Sequence, residues 1–580
     1  MVDKYYEEEL RYLYESGREF ATAHPDRARF LNIDAVGDRD PYVERLFEGF
    51  AFLTARIREK LDDGLPELTE GLINLMWPQF LREVPSAAVV QFAPRPGLLT
   101  ESRVLPRGTE VLSGPVGRES VACRFITTHK VTINPIALKD VKKSVDRRGC
   151  ATVALTFGID PRASWEHLLL APLRLYLHAE RPLALMLRQF LTSRVRQASV
   201  AADGAAVPYD PSRACMPAGY AGDESLLPAD ERVTHASALL LEYFAYPEKF
   251  LFVDLFGADA LPRRGQAPET LTYTLTFDND FDNDARIGPE NLRLFCSPVV
   301  NLFKTDIEPV NHAGRKDEYM LTADARHPES TTVHSVVSVT GIDRISGGRR
   351  AYKPLNTFAG LGKNGDRTFT TRHGRSADGR RRVYLVPGGE GLDGLELREE
   401  NLAVEAWCTN GVLPREEINE GGINRGGRAF PDSVMVSNIT RPTLPCYPPD
   451  RDDYQWVFLA HQGANYVSLA SADSLQAFLR LYDWSRDPAV ARRIAAITDV
   501  RAEPSERIVA GSLIRGVRFE VSVIASQFSG NADIRMLGEV LREFLAQYVS
   551  INTYLDLAMV LKPDGETMTF SSQPGAQWLI

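Results

Sequence analysis

The period of the apolar residues changes near residue 85, and this change constrains the fold more than any other feature of the sequence. Before it, apolar residues recur every three or four positions, as at Tyr6, Leu10 and Leu13, which is typical of amphipathic helices. After it, short runs such as ATVALTFGI and LRLYLHA, bounded by Pro and Gly, indicate strands. The sequence therefore predicts an α+β fold: a helical N-terminal region, a β-rich multi-domain body and a small C-terminal α+β domain.

Proline and glycine set the bounds of the N-terminal helices. The first helix is predicted to end at Pro25, the second to run from Pro41 to just before Gly64, and the third from about Pro66 to Pro78. From residue 86 onward helices become the minority, with one helical insert predicted over 182–195.

The rest of the chain divides by composition. Residues 201–230 are predicted to form a long loop, and the Gly- and Arg-rich stretch over 345–450 is predicted to form surface loops on a β scaffold. The predicted domains are 1–84, helical; 85–265, β-rich with a helical insert; 266–451, β-rich with long loops; and 452–580, α+β. In the last domain a helix over 532–549 should precede a hairpin that turns at Pro563-Asp564-Gly565. Its predicted buried face consists of Ile534, Leu537, Leu541, Phe544 and Tyr548.

The stretch over 242–257 places apolar residues on both faces of a predicted strand. Phe250, Phe252 and Phe256 alternate with Leu251, Val253 and Leu255. Such a strand lies between two layers of the core or takes part in an assembly interface, and the sequence leaves both open.

Charge and cysteine content exclude several classes of function. The net charge is −10, with acidic and basic residues interspersed, so the chain lacks the basic footprint of a nucleic-acid-binding protein. The six cysteines lie far apart without a C-x-x-C pair, which suits a reducing compartment. The acidic start is unlike a signal peptide, and the sequence has no run of ~20 apolar residues. We expect a cytoplasmic protein without direct membrane insertion.

Two short motifs have the spacing of ligand-binding loops but lack residues that such loops require. Residues 389–394, GEGLDG, match G-x-G-x-x-G, but two acidic residues lie inside the match, so a glycine-rich turn is the better interpretation. Residues 278–290 have calcium-loop spacing, but Asn283 or Ala285 replaces the required glycine; a solvated acidic turn fits better, with a looser cation site as the alternative. We expect no cofactor, no metal and no catalytic residues, although a triad assembled across the fold stays open.

The second predicted helix carries one aromatic residue that its amphipathic pattern does not explain. With a rotation of about 100° per residue, Phe52 lies on the charged side of the helix, between Gly49 and Ala55. The opposite stripe is predicted to face the core and consists of Val43, Leu46, Phe47, Phe50, Thr54, Ile57 and Leu61. Gly49, Phe52 and Ala55 are therefore candidates for binding a partner helix. Simple exposure, or burial of Phe52 against the third helix of the same chain, is the alternative.

Five separated stretches together resemble the TssF (ImpG or VasA) family of type VI secretion baseplate proteins. They are EEELRYLYESGREFATAHP, DPYVERLFEGFAFLTARIREKLDDGLPEL, EYFAYPEKFLFVDLFG, LFCSPVVNLFKTDIEPV and FSGNADIRMLGEVLREFLAQYVSINTYLDL. They occur in order and span nearly the whole chain.

The resemblance implies a non-enzymatic building block of the cytoplasmic baseplate, docked at the inner-membrane complex. It implies a wedge of two TssF copies with one TssG, joined by TssK and TssE, which surrounds the spike and organises sheath and inner-tube assembly. Contact with the spike protein itself is a further implied possibility. The alternative is a β-rich enzyme or a large binding protein of unknown substrate.

Overall fold

A computed structural model gives the architecture of the chain. It describes residues 2–23, 41–62, 66–145, 147, 149–204, 206–228, 234–262, 267–279, 286–313, 316, 318–355, 367–375, 380–389, 399–449, 454–462, 467–509 and 512–576. Within these ranges the fold is α+β, with helices at the N-terminal end and a β-rich body, as predicted.

Five of the described helices were predicted individually and agree with their predicted positions to within a few residues, whereas the other five were not predicted as separate elements. The described helices are ten in number. They are α1 (Val2–Ala23), α2 (Pro41–Asp62), α3 (Pro66–Met76), α4 (Arg181–Ser193), α5 (His235–Ala245), α6 (Leu413–Glu417), α7 (Tyr454–Gln462), α8 (Ala472–Tyr482), α9 (Pro488–Ala495) and α10 (Asn531–Ala546). The N-cap position before α2 and Gly64 after it lie outside the described residues.

The strands begin at residue 87. They are β1 (Ala87–Pro94), β2 (Arg103–Leu105), β3 (Glu110–Val116), β4 (Val121–Thr127), β5 (Val131–Ile133), β6 (Ile136–Val145), β7 (Ala151–Ile159), β8 (Leu173–Leu177), β9 (Val195–Ala202), β10 (Val207–Tyr209), β11 (Cys215–Pro217), β12 (Phe252–Leu255), β13 (Thr270–Phe277), β14 (Leu292–Leu294), β15 (Cys296–Val300), β16 (Phe303–Asp306), β17 (Val310–His312), β18 (Tyr319–Met320), β19 (Thr332–Asp343), β20 (Arg349–Pro354), β21 (Arg367–Arg375), β22 (Arg381–Gly389), β23 (Glu400–Thr409), β24 (Ile423–Gly426), β25 (Val434–Asn438), β26 (Ile497–Val509), β27 (Ser512–Ile524), β28 (Tyr554–Lys562), β29 (Glu566–Thr569) and β30 (Gln573–Pro574).

The chain divides into two compact units. The first comprises Met1–Asn74 and Pro449–Gln462 and is helical where it is described, with α1 packed against α2. The second comprises Leu75–Pro448 and Gly463–Ile580 and holds the described sheets. The four-domain division made from the sequence stays a prediction.

Antiparallel sheets form most of the second unit. One has the order β24-β3-β4-β15-β1-β25, a second β10-β9-β13-β7-β6 and a third β11-β12-β8-β14. Strand β12 lies inside the third sheet. Phe252 and Val253, which point to opposite faces, are both fully buried, so the predicted double-sided burial is confirmed. The strand is shorter than predicted, because residues 247–250 form a 3₁₀ turn.

The described part of 345–450 contains six strands, β20 to β25, joined by loops, and residues 356–366, 376–379 and 390–398 lie outside the described residues. Strands β16, β23, β19, β20, β21, β22 and β18 form one sheet with its own core, which includes Val339, Leu385 and Val404. Strands can form in this Arg-rich stretch because arginine side chains lie at the sheet surface in ion pairs, such as Arg372 with Glu318 at 2.7 Å. Cross-strand pairing overrides the low strand propensity of glycine-rich segments. The predicted loop of 201–230 contains two three-residue strands, β10 and β11, and β11 pairs with β12.

The C-terminal part has the predicted α+β form. Strands β27 and β28 are parallel and α10 connects them, packing on β28. All five residues of its predicted buried face are buried. Gly538 lets the helix approach the sheet, since a Cβ there would lie 2.2 Å from the ring of Phe570. Gly565, with φ of +73°, closes the β28–β29 hairpin at the predicted turn.

Candidate functional site

Helix α2 meets α1 through a narrow face of mostly small residues. Ala51 and Ala55 have no exposed surface, and Phe47 is half-buried, with its ring centroid 5.9 Å from that of Tyr14. The hydroxyl of Tyr14 donates to Glu44 Oε1 at 3.4 Å. Spacing of four residues places Phe47, Ala51 and Ala55 on one side of the helix. This side, and not the stripe of large apolar residues, carries the contact with α1.

The large apolar residues of α2 form an exposed stripe beside that contact. Leu46, Phe50, Leu53 and Ile57 are 58%, 55%, 59% and 60% exposed. Their spacing of four, three and four residues is that of a coiled-coil seam, in which each side chain fits between side chains of a facing helix. We call these four residues the α2 stripe.

The predicted core stripe of α2 is therefore wrong for three of its members. Leu46, Phe50 and Ile57 were expected to face the core and are more than half exposed, while Phe47 and Thr54 are half-buried. The side chains of the other two members, Val43 and Leu61, lie outside the described residues. The prediction weighed large apolar side chains most heavily, whereas the residues of α2 with no exposed surface are two alanines, whose small side chains permit close approach of a neighbouring element.

The three predicted partner-binding residues separate in the structure. Phe52 is 48% exposed, and a Cβ added to Gly49 would have no atom within 4 Å, so this part of the predicted patch is open. Ala55 was expected to flank the patch and is instead fully buried. At 100° per residue Ala55 lies 60° from Phe52, toward the face that meets α1. The open surface consists of Gly49, Phe52 and, further around the helix, the α2 stripe.

Large apolar side chains are exposed at further positions of the first unit. Tyr12 on α1, Tyr42 at the start of α2 and Trp456 on α7 are each more than two-fifths exposed. Large exposed apolar surfaces on soluble proteins mark sites of association. The described helices of the first unit therefore leave part of their apolar surface exposed to solvent.

In the second unit, charged side chains are buried in paired networks. Lys249 pairs with Glu242, which also accepts from Ser225 Oγ at 2.6 Å and from the Leu226 amide at 2.8 Å. Arg174 binds both carboxylate oxygens of Asp254 at 2.7 and 2.8 Å. Paired and hydrogen-bonded charges of this kind hold segments in register.

Burial also sets the protonation of the nearby histidine and the thiols. Desolvation, with the positive charges of Arg174 and Lys249, holds the pKa of His129 well below its usual range, so the ring is neutral. Burial raises the pKa of Cys123 and of Cys215 to about 12, which keeps both as thiols.

The two ligand-like motifs are only partly described. Asp278 lies within 3.3 Å of Arg194 and 3.9 Å of Arg196, so its charge is balanced by arginines. Residues 280–285 of the acidic run and 390–394 of the glycine run lie outside the described residues. Among the residues that are described, no cluster of three His, Cys, Asp or Glu side chains has the geometry of a metal site. Of the described helices, none has the length and apolar character needed to cross a bilayer.

Together these features are those of an assembly subunit with an α+β body and an N-terminal helical unit that has exposed apolar side chains. Comparison with known proteins gives the family. The model of the type VI secretion system TssF family matches residues 2–577. This chain belongs to the TssF family.

Relatives match over almost their whole length. The type VI secretion system component TssF1 of Pseudomonas aeruginosa is 30% identical over 619 residues, covering 99% of this chain and 98% of that protein. A chain from the cryo-electron microscopy structure of a TssK-TssF-TssG baseplate subcomplex shares 30% identity with a TM-score of 0.77, covering 92% of this chain and 99% of the other. A chain of the type VI baseplate complex shares 29% identity with a TM-score of 0.64 and full coverage of both. The resemblance seen in the sequence is confirmed.

Sequence reasoning placed the candidate partner-binding residues on α2 but did not predict that its stripe of large apolar residues is exposed. The signal was available in Ala51 and Ala55, a pair of small residues four positions apart that marks a helix contact. Leu46, Phe50, Leu53 and Ile57 have the heptad-like spacing of a helix seam, and this pattern was also visible in the sequence.

Proposed function

We propose that this protein is a structural subunit of the baseplate wedge, and that the α2 stripe with Phe52 joins it to helices of other chains. The observation that carries the proposal is a helix with two usable faces. One face contains the buried Ala51 and Ala55 and contacts α1 at Phe47, and the other presents four large apolar side chains at coiled-coil spacing. The related structures, which are parts of type VI baseplates, support a mechanical role over a catalytic one.

The partners follow from the family. TssK and TssG are named with a TssF chain in a similar structure, and we propose both as partners of this protein. Two copies with one TssG, together with TssE and a contact to the spike, complete the proposed wedge. Such a wedge works in the cytoplasm, docked at the inner-membrane complex, where it organises sheath and inner-tube assembly.

Phe52 and Gly49 extend the proposed surface beyond the α2 stripe. Gly49 has no side chain and open space around it, so the backbone of a partner helix can approach α2 there. Phe52 then supplies an aromatic ring of which about half remains to be buried. Aromatic side chains of this kind are the usual anchors of protein interfaces.

The test compares Phe52→Glu with Phe47→Glu, each co-expressed with a tagged TssG. Phe52→Glu should keep its native helicity by circular dichroism and lose co-purification, because the carboxylate would be buried in the interface. Phe47→Glu should lower the melting temperature of the chain itself, because it disrupts the contact with Tyr14. Retention of TssG by Phe52→Glu at the wild-type ratio would show that this side chain does not contribute to the interface.

A further inference from the structure

Gly49 lies in the interior of α2, where its own chain gives no reason for a glycine. Apart from proline, glycine is the least favourable residue in a helix interior. It is usual there where a close contact leaves no room for a side chain, as at Gly538 on α10. At Gly49, by contrast, no atom lies within 4 Å of the position that a Cβ would take. The described part of the chain therefore makes no contact that requires this glycine.

The side chains around Gly49 form the walls of a pit. The surface neighbours of a helical residue lie three and four positions away, and here they are Arg45, Leu46, Phe52 and Leu53. All four side chains are exposed, with values of 58%, 48% and 59% for the three apolar ones. Long side chains of a helix lean toward its N-terminus, so Phe52 and Leu53 lean toward Gly49. We call the open space above Gly49, between these four side chains, the Gly49 pit.

The Gly49 pit joins the α2 stripe to Phe52. In coiled-coil packing, a side chain of one helix enters a hole between four residues of the other, at positions i, i+3, i+4 and i+7. On α2 these positions are filled by Leu46, Gly49, Phe50 and Leu53. Since glycine removes one of the four walls, the hole is wider than one between four side chains. It has room for a large side chain.

The pit is closed in both directions along the helix. Close contact between two helix backbones uses small residues that recur four positions apart. The residues four positions before and after Gly49 are Arg45 and Leu53, which are both large. A partner can therefore bring one side chain to Gly49, with the backbone that carries it, but not a longer run of backbone.

The walls of the pit favour an aromatic side chain. Phe50 and Phe52 are exposed beside Gly49, and aromatic rings pack well against each other edge to face. Arg45 is exposed at the N-terminal end of the pit, and a guanidinium is attracted to the face of an aromatic ring.

We propose that the Gly49 pit receives one large aromatic side chain of TssG. The inference rests on the proposed function, which joins α2 to helices of other chains and takes TssG as a partner. It adds the chemical nature of the group that TssG places against α2.

The first test fills the pit. Gly49→Ala and Gly49→Leu are made in the full chain, and their affinity for immobilised TssG is measured together with the melting temperature of the free chain. Both variants should melt at or above the wild-type temperature, because both residues favour helix and the space is open. Both should bind TssG more weakly, with a loss of about tenfold to a hundredfold for the leucine variant.

Gly71 on α3 is the matched control, because it is also an interior helix glycine with no atom within 4 Å of a Cβ position. Gly71→Leu should melt at or above the wild-type temperature and bind TssG with wild-type affinity. Unchanged affinity of Gly49→Leu, or an equal loss in Gly71→Leu, would overturn the proposal.

The second test identifies the occupant of the pit. Each Trp, Tyr and Phe of TssG is replaced in turn by Ala and tested against Gly49→Leu. Where Ala prevents expression of TssG, Leu is used instead and tested against Gly49→Ala. One TssG variant should bind the wild-type chain weakly and the filled pit well, because the new side chain at position 49 occupies the space that the ring leaves. If no TssG variant restored binding, an aromatic occupant would be refuted.

Phe50→Glu with Leu53→Glu separates this inference from the proposed function. If this variant loses TssG while Gly49→Leu keeps it, the α2 stripe contacts TssG and the inference about the pit is wrong. If both variants keep TssG, the proposed interface is wrong as well.

Discussion

Replacing two members of the α2 stripe should break assembly without unfolding the chain. The variant is Phe50→Glu with Leu53→Glu, two adjacent stripe residues that are each more than half exposed. Neither contributes to the buried face of Ala51 and Ala55 through which α2 meets α1. The helix should therefore keep its place in the isolated protein.

The expected loss of affinity follows from the exposed surface. Burying a whole Leu, Ile or Phe side chain is worth about 1.5–3 kcal/mol, so burying the remaining half is worth about 1–1.5 kcal/mol per residue. Two residues then contribute about 2–3 kcal/mol, and the unpaired carboxylates add a cost of about 2–3 kcal/mol. A sum of about 4–6 kcal/mol weakens binding about 10³- to 10⁴-fold.

The assay measures the affinity of the purified variant for tagged TssG immobilised on a sensor surface. Circular dichroism of the same sample reports its helicity. Arg11→Gln with Arg18→Gln on α1 is the matched control, because it changes the net charge by the same amount at exposed positions. The control should bind as the wild type does. If the stripe variant kept native helicity and bound TssG within a few-fold of the wild type, the stripe would not be the interface.

Three further predictions concern the body. Lys249→Met should lower the free energy of unfolding by about 3–5 kcal/mol, since it leaves Glu242 buried without its cation, and Lys249→Met with Glu242→Gln should recover part of this in denaturant titrations. Burial and the charge of Arg82 lower the pKa of His334 from 6.5 to about 3. Between these two pH values the imidazole is protonated in the unfolded state and neutral in the folded state. Stability should fall by about 1.4 kcal/mol per pH unit below pH 6.5 from this group, and the fall should be shallower in His334→Gln; an equal pH slope in both proteins would contradict this. Cys123 and Cys215, with pKa raised to about 12, should resist an aromatic disulfide reagent at pH 8 until the protein is denatured, and reaction in the native state would show them to be accessible.

The sequence predicted helix starts, buried helix faces and turns correctly where they depend on one residue type or on a short apolar pattern. Pro41 begins α2 because its missing amide donor is unneeded in the first turn, and α10 showed all five of its predicted buried residues. The turn at Gly565 has the positive φ that a hairpin of this kind requires. These features depend on contacts within a few residues along the chain.

Features that depend on distant partners were not predictable in the same way. Strands β21 and β22 lie in a stretch whose Gly and Arg content predicted surface loops on a β scaffold, and they pair with each other over nine residues. The residues that stabilise this pairing lie elsewhere in the chain; Glu318, for example, forms an ion pair with Arg372. For the candidate site, the sequence predicted that the stripe of large apolar residues on α2 is buried, whereas the structure buries Ala51 and Ala55 instead. That choice depends on the fit between two helix surfaces.

The most direct test of the account is a cryo-electron microscopy map of the protein co-purified with TssG. The account predicts that Ala51 and Ala55 face α1 of the same chain, while Phe50 and Leu53 are enclosed by helices of other chains. Phe52 should be covered in the same map, beside a partner backbone that approaches Gly49. A map in which the α2 stripe faces solvent in every copy, with TssG bound elsewhere, would contradict the account.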